Sequence, residues 1–77
     1  MKIRNIINTY NEGEYSSTIS QGNRFLRTNP NYQGAELIVL YQMMVTSYVS
    51  ERNTANNNNN SLKVNRLNNE LKQLLNK

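Results

Sequence analysis

The chain has 77 residues and contains no cysteine, no histidine, no tryptophan and no aspartate. Without cysteine it lacks disulfides, thiol nucleophiles and thiolate zinc ligands. Without histidine it lacks the side chain that most often acts as a general base near neutral pH. Its five acidic residues are glutamates scattered along the chain, and its three glycines do not match a phosphate-binding loop. We therefore expect no enzyme activity, no cofactor, no metal and no small-molecule substrate.

Long hydrophobic runs are also missing, since the mean hydropathy is −0.80. The most apolar stretch, residues 37–49, is interrupted by polar side chains and is shorter than the roughly 20 residues that span a bilayer. The N-terminus has no apolar segment typical of a signal peptide. We expect a cytoplasmic protein that does not bind membranes. Because a chain of fewer than about 80 residues buries little core, we also expect a protein partner or self-association.

Glycine and proline divide the N-terminal half. Ile3, Ile6, Ile7 and Tyr10 recur at helical spacing, which predicts a first helix over residues 2–10. Gly13 follows as a helix stop that can adopt the left-handed conformation. A second helix is predicted over residues 15–28, where Pro30 ends it and Gly22 offers a small surface for a close helix crossing.

A third helix is predicted over residues 33–51, although the β-branched and aromatic residues there also suit strands. Length and periodicity favour a helix with a wide apolar face, made of Leu37, Ile38, Leu40, Tyr41, Met44, Val45, Tyr48 and Val49. Asparagine makes up about a fifth of the chain, and the asparagine-rich residues 52–61 predict a flexible linker. A basic amphipathic helix should follow over residues 62–77. Its apolar residues, here named the leucine seam, are spaced like a coiled coil: Val64, Leu67, Leu71 and Leu74.

The spacing of the glycine, aliphatic and proline residues around the second predicted helix resembles the second half of a tetratricopeptide repeat. The resemblance covers Gly13 to Pro30 and rests on Gly13-Glu14-Tyr15, Ile19, Leu26 and Asn29-Pro30. The chain departs from the family at Thr18 and Phe25, where alanine is preferred, and at Gly22, where a large aromatic residue is preferred. The resemblance implies an antiparallel helical hairpin, with residues 1–51 as the repeat-like domain and the third helix as the start of an incomplete second repeat.

In that family the first helix of each repeat lines a concave groove, so the resemblance implies a groove surface at Leu37, Tyr41 and Met44. The predicted function is a protein–protein interaction or assembly module that acts through this apolar groove and the leucine seam. The alternative is that the apolar stripe of the third helix only packs on the other helices. The sequence leaves open whether the C-terminal helix docks on its own chain or on another.

The whole net charge of +4 lies in residues 52–77. A solvent-exposed helix face is the common fate of such charges. A second function hypothesis is a nucleic-acid-associated regulator or a viral or phage structural component. In that case Lys63, Arg66 and Lys72 would neutralise phosphates.

Overall fold

The computed structural model describes residues 2–76, and within that range it contains four α-helices and no β-strand. The predicted all-α class is thus confirmed for the described residues. The helices are α1 (Ile3–Asn11), α2 (Tyr15–Thr28), α3 (Glu36–Asn57) and α4 (Ser61–Leu75). The predicted bounds of α2 are confirmed, and α3 begins three residues later than predicted. Met1 and Lys77, at the outer ends of the predicted domains, lie outside the described residues.

The corner between α1 and α2 is built on Gly13, whose φ of +78° is left-handed. The Gly13 N–H donates to the Tyr10 carbonyl at 2.9 Å, and the Glu14 N–H donates to the Thr9 carbonyl at 3.3 Å. These two bonds form a Schellman motif, which satisfies carbonyls that the end of a helix otherwise leaves unpaired. The prediction that Gly13 ends the first helix in this conformation is confirmed.

The flexible linker predicted over residues 52–61 is wrong for residues 52–57, which form the last part of α3. Tertiary contacts override the low helix propensity of asparagine there. Ala55 is only 2% exposed, and Arg52 donates a hydrogen bond to Asn68 on α4. Three asparagines, residues 58–60, are left to connect α3 to α4.

Each asparagine of that connection has a separate structural role. Asn58 is the C-cap of α3, and Asn59 takes the left-handed conformation with a φ of 57°. The Asn59 N–H donates to the Asn56 carbonyl at 3.0 Å, and the Asn60 N–H donates to the Ala55 carbonyl at 2.8 Å, which completes a second Schellman motif. The Asn60 side chain then caps α4 by accepting from the Lys63 N–H at 3.2 Å. The run is therefore an ordered corner.

Helix α3 is the central element of the fold. It packs against α1, α2 and α4, and α1 also packs against α2. Within residues 2–76, no Cα atom of α2 lies within 8 Å of one of α4, so the two helices flank α3 with a groove between them. The core residues come from all four helices: Ile3, Ile6, Ile19, Phe25, Leu40, Met43, Met44, Tyr48, Leu67 and Leu74.

Gly22 lets α2 approach α3 closely. A Cβ atom at Gly22 would lie 2.6 Å from the Met44 sulfur, well inside normal contact distance. Met44 is itself fully buried, so the space that Gly22 leaves is filled by Met44. The prediction of a close helix crossing at Gly22 is confirmed.

At the left-handed residues of the two Schellman motifs, Gly13 and Asn59, we expect substitutions to change the free energy of unfolding in opposite directions. Nothing lies within 4 Å of a Cβ placed at Gly13, so Gly13→Ala should cost only its left-handed strain, about 1–2 kcal/mol of unfolding free energy. Asn59→Gly relieves the smaller strain of a left-handed asparagine and should gain a few tenths of a kcal/mol, at most about 1 kcal/mol. Urea unfolding followed by circular dichroism measures both. Equal effects of the two substitutions would contradict this account of the corners.

Candidate interaction surface

The structure places three of the predicted contact residues in the protein's own core. Met44 is fully buried, and Leu67 and Leu74 are each 4% exposed. Helix α4 therefore docks on α3 of the same chain, and two of the four residues of the leucine seam are buried in the core. Met44 is directed at α2, where Gly22 leaves room for it, and does not face a surface groove as the resemblance implied.

The other predicted contact residues, Leu37, Tyr41, Val64 and Leu71, are partly exposed. Tyr41 belongs to a stripe along α3 at helical spacing, made of Ile38, Tyr41, Val45, Val49 and Arg52. Val64 and Leu71 belong to a matching stripe along α4, made of Val64, Asn68, Leu71 and Leu75. Arg52 Nη1 donates to Asn68 Oδ1 at 3.3 Å and joins the two stripes side by side. We name these nine residues the α3–α4 face.

The α3–α4 face is apolar and open to solvent. Ile38 is 66% exposed and Leu75 is 64% exposed. A shallow depression of about 430 Å³ on α3 is lined by Tyr41, Gln42, Val45 and Thr46. Arg52 is the only ionisable side chain of the face apart from the phenol of Tyr41. Sequence reasoning included Ile38, Val45 and Val49 in the apolar face of α3 but did not single them out as contact residues, and it missed Leu75. The sequence did carry a signal for the α3 residues, because apolar side chains occupy more of the surface of this helix than one neighbouring helix can bury.

The outer sides of α1 and α2 are different. In the described range, no large hydrophobic residue of these two helices is exposed; Tyr32, Ile38, Val39, Leu62 and Leu75 all follow α2. Exposed polar and basic side chains cover these helices instead, among them Arg4, Asn5, Asn8 and Arg24. Within the described residues, the exposed large hydrophobic side chains thus all follow α2 in the chain.

A buried tyrosine joins three helices beneath the groove between α2 and α4. Tyr48 on α3 is 1% exposed. Its hydroxyl accepts from the Asn23 amide of α2 at 3.0 Å and donates to the Glu70 carboxylate of α4 at 3.2 Å. Burial raises the pKa of Tyr48 above its usual 10.0, and the nearby charge of Glu70 also raises it, while the Asn23 hydrogen bond lowers it.

The groove itself has a volume of about 460 Å³ and is lined by Asn23, Arg27, Tyr48, Glu70, Gln73 and Leu74. The polar groups of Asn23, Tyr48 and Glu70 bond to one another. This arrangement orders the helices, and we assign it a structural role.

The three basic residues of the nucleic-acid hypothesis do not form a free cationic cluster. Lys63 Nζ lies 3.8 Å from Glu51 Oε2, and Arg66 Nε lies 3.5 Å from Glu70 Oε2. Lys72 is exposed one turn beyond Asn68. Lys63 and Arg66 thus each face a carboxylate, at distances typical of weak surface ion pairs.

Tyr48→Phe should destabilise the protein by about 1–3 kcal/mol, because it leaves the Asn23 amide without its buried acceptor and Glu70 without its donor. The raised pKa of Tyr48 means that its neutral form contributes stability fully below about pH 10, and this contribution is lost as the pH rises through the folded-state value. Thermal melts from pH 7 to 11 should show a steeper alkaline loss for wild type than for Tyr48→Phe. Parallel alkaline profiles would contradict the assignment.

No helix in residues 2–76 combines the length and the hydropathy needed to cross a membrane. The same residues contain no group of three or more acidic, histidine or cysteine side chains placed to hold a metal ion. Comparison with known proteins finds no family model, no curated protein and no solved structure that matches the chain.

Proposed function

We propose that this protein is a small interaction or assembly module that holds a helical partner on its α3–α4 face. The observation that carries the proposal is the apolar surface formed by the exposed side chains of Ile38 and Leu75 and by the half-buried Val45 along two adjacent helices. A pair of packed helices with an open apolar face is the usual receptor for the apolar side of a third helix. Its work is non-covalent.

The size of the face supports a binding role. The α3 stripe runs from Ile38 to Arg52, roughly 21 Å of helix, and two adjacent helices are about 20 Å wide, so the face covers about 400 Å². The exposed apolar part of this footprint comes mainly from Ile38 and Leu75, and exposed apolar patches on small proteins are often functional. The area is suited to one or two partner helices.

The contacts of α3 with α1 and α2 support a binding position for the partner like that of the next helix in a tetratricopeptide array. Helix α3 lies against both α1 and α2, as the first helix of one repeat lies on the helical hairpin before it. The equivalent surface of the α3–α4 pair is the α3–α4 face. In this interpretation, a partner helix would bind there as a fifth helix and continue the stacking.

Nucleic-acid binding is the weaker proposal, because Lys63 and Arg66 already face Glu51 and Glu70. Phosphate contacts would have to replace these ion pairs. Binding of that kind weakens steeply as salt rises, whereas apolar contact does not. An electrophoretic shift that vanishes with salt and with Lys63→Gln and Arg66→Gln would favour this alternative.

The proposal predicts which residues of the protein contact its partner in the cell. A photo-reactive phenylalanine analogue placed at Ile38 or at Leu75 should cross-link to protein on irradiation, because both side chains lie on the proposed contact surface. The same analogue at Leu62 is the matched control, because Leu62 is 84% exposed on α4 but lies off the face. Cross-linked bands on a denaturing gel give the measurement. Equal yields at all three positions, or none at Ile38 and Leu75, would count against the proposal.

A further inference from the structure

We infer that the partner of the α3–α4 face is an acidic amphipathic helix, whose apolar side is bordered by carboxylates. The inference rests on the proposed function and deepens it, because it names the chemistry of the partner. Three observations support it: the ion pairs that the glutamates of the C-terminal half already form, the location of the remaining cations and the spacing between those cations.

The glutamates of the C-terminal half form their ion pairs away from the α3–α4 face. After Glu36, the only acidic residues of the sequence are Glu51 and Glu70. Glu51 pairs with Lys63 and Glu70 pairs with Arg66, and all four side chains line a depression of about 180 Å³ on the side of α4 that faces α2. That side of α4 therefore has two cations and two anions, which balance.

The other two cations of α3 and α4 lie at the α3–α4 face. Arg52 belongs to the face, and Lys72 borders it next to Leu71. Within residues 2–76, no carboxylate lies within 4 Å of either cation. Arg52 Nη1 donates instead to the neutral amide oxygen of Asn68, at 3.3 Å. The face thus combines apolar side chains with two cations that have no anion beside them, and an acidic partner is complementary to it.

The spacing of the two cations suits carboxylates on successive turns of one helix. Lys72 follows Asn68 by four residues, so it lies about 6 Å along α4 from the residue that Arg52 contacts. Glutamates four residues apart on a helix are separated by a similar distance of about 5–6 Å. A partner helix aligned with α4 can therefore place one carboxylate near each cation while its apolar side covers Val45 and Leu75.

Nucleic acid and anionic lipid are also negatively charged, but the face suits them less. A phosphate backbone would lie against the exposed apolar side chains of Ile38 and Leu75 and gain nothing from them. Lipid-binding clusters typically have roughly four to eight basic residues, and this face has two. The depression of about 430 Å³ on α3 can instead receive an apolar side chain of a partner helix.

NMR titration of the isotope-labelled full chain with two synthetic helical peptides tests the inference. Both peptides have the same leucine stripe, which glutamates border in one and lysines border in the other. The Kd of the glutamate peptide should be at least about tenfold lower, because two surface ion pairs replace two like-charge contacts. The shifted amide signals should lie along the α3–α4 face. Equal Kd values, no binding, or shifts confined to other surfaces would overturn the inference.

Two double variants distinguish the cations of the face from the overall charge of +4. Arg52→Gln with Lys72→Gln should raise the Kd of the glutamate peptide about fivefold. Arg4→Gln with Arg24→Gln is the matched control, because it removes the same charge from exposed positions on α1 and α2. It should change the Kd less than about twofold, since salt screens distant charges. Circular dichroism verifies that both variants are folded, and equal effects would overturn the inference.

Two further outcomes separate this inference from the proposed function. If both peptides bind the α3–α4 face equally well, the acidic chemistry is wrong while the proposed function stands. The proposed function itself fails if Ile38 and Leu75 give no cross-links in cells. Vesicles of equal parts phosphatidylserine and phosphatidylcholine test the lipid alternative. If they sediment wild type but not the Arg52→Gln and Lys72→Gln variant, a lipid surface replaces the helix and the inference is overturned.

Discussion

The hydroxyl of Tyr48 joins α2 and α4 to the central helix α3. It is buried, so it needs both a donor and an acceptor from within the chain, and it finds one on α2 and the other on α4. These two helices do not touch each other closely, so this hydrogen-bonded chain is their link across the groove. Apolar packing brings the helices together, and the polar contact then favours one register of α4 along α3.

Helix α4 depends on α3 more than any other element does. Its buried residues, Leu67 and Leu74, pack on the core, and its polar contacts are Lys63 with Glu51, Asn68 with Arg52 and Glu70 with Tyr48. All three of these polar contacts lie on α3. Such a helix belongs to the less stable part of a fold, since few neighbours hold it. A partner that covers the α3–α4 face would add contacts to α4 where it has fewest.

The sequence predicts the helices well and the use of their surfaces less well. Isoleucine spacing, Gly13 and Pro30 are local signals, so α1 and α2 are found close to their true ends. The end of α3 depends on the burial of Ala55 and on the contact of Arg52 with α4, which local propensity does not reveal. In the same way, the 3.6-residue period indicates that Met44 and Leu67 face something, but a single sequence does not say whether that surface is their own core or a partner.

The connection between α3 and α4 uses a single residue type, asparagine, at three different positions. C-cap, left-handed and N-cap positions are filled by the same residue type, and asparagine suits all three. An insertion or deletion of one residue within the run would change the length of the connection but would still leave asparagine at each capping position. A run of one residue type thus supplies a suitable capping residue at this corner, whichever of its members takes each position.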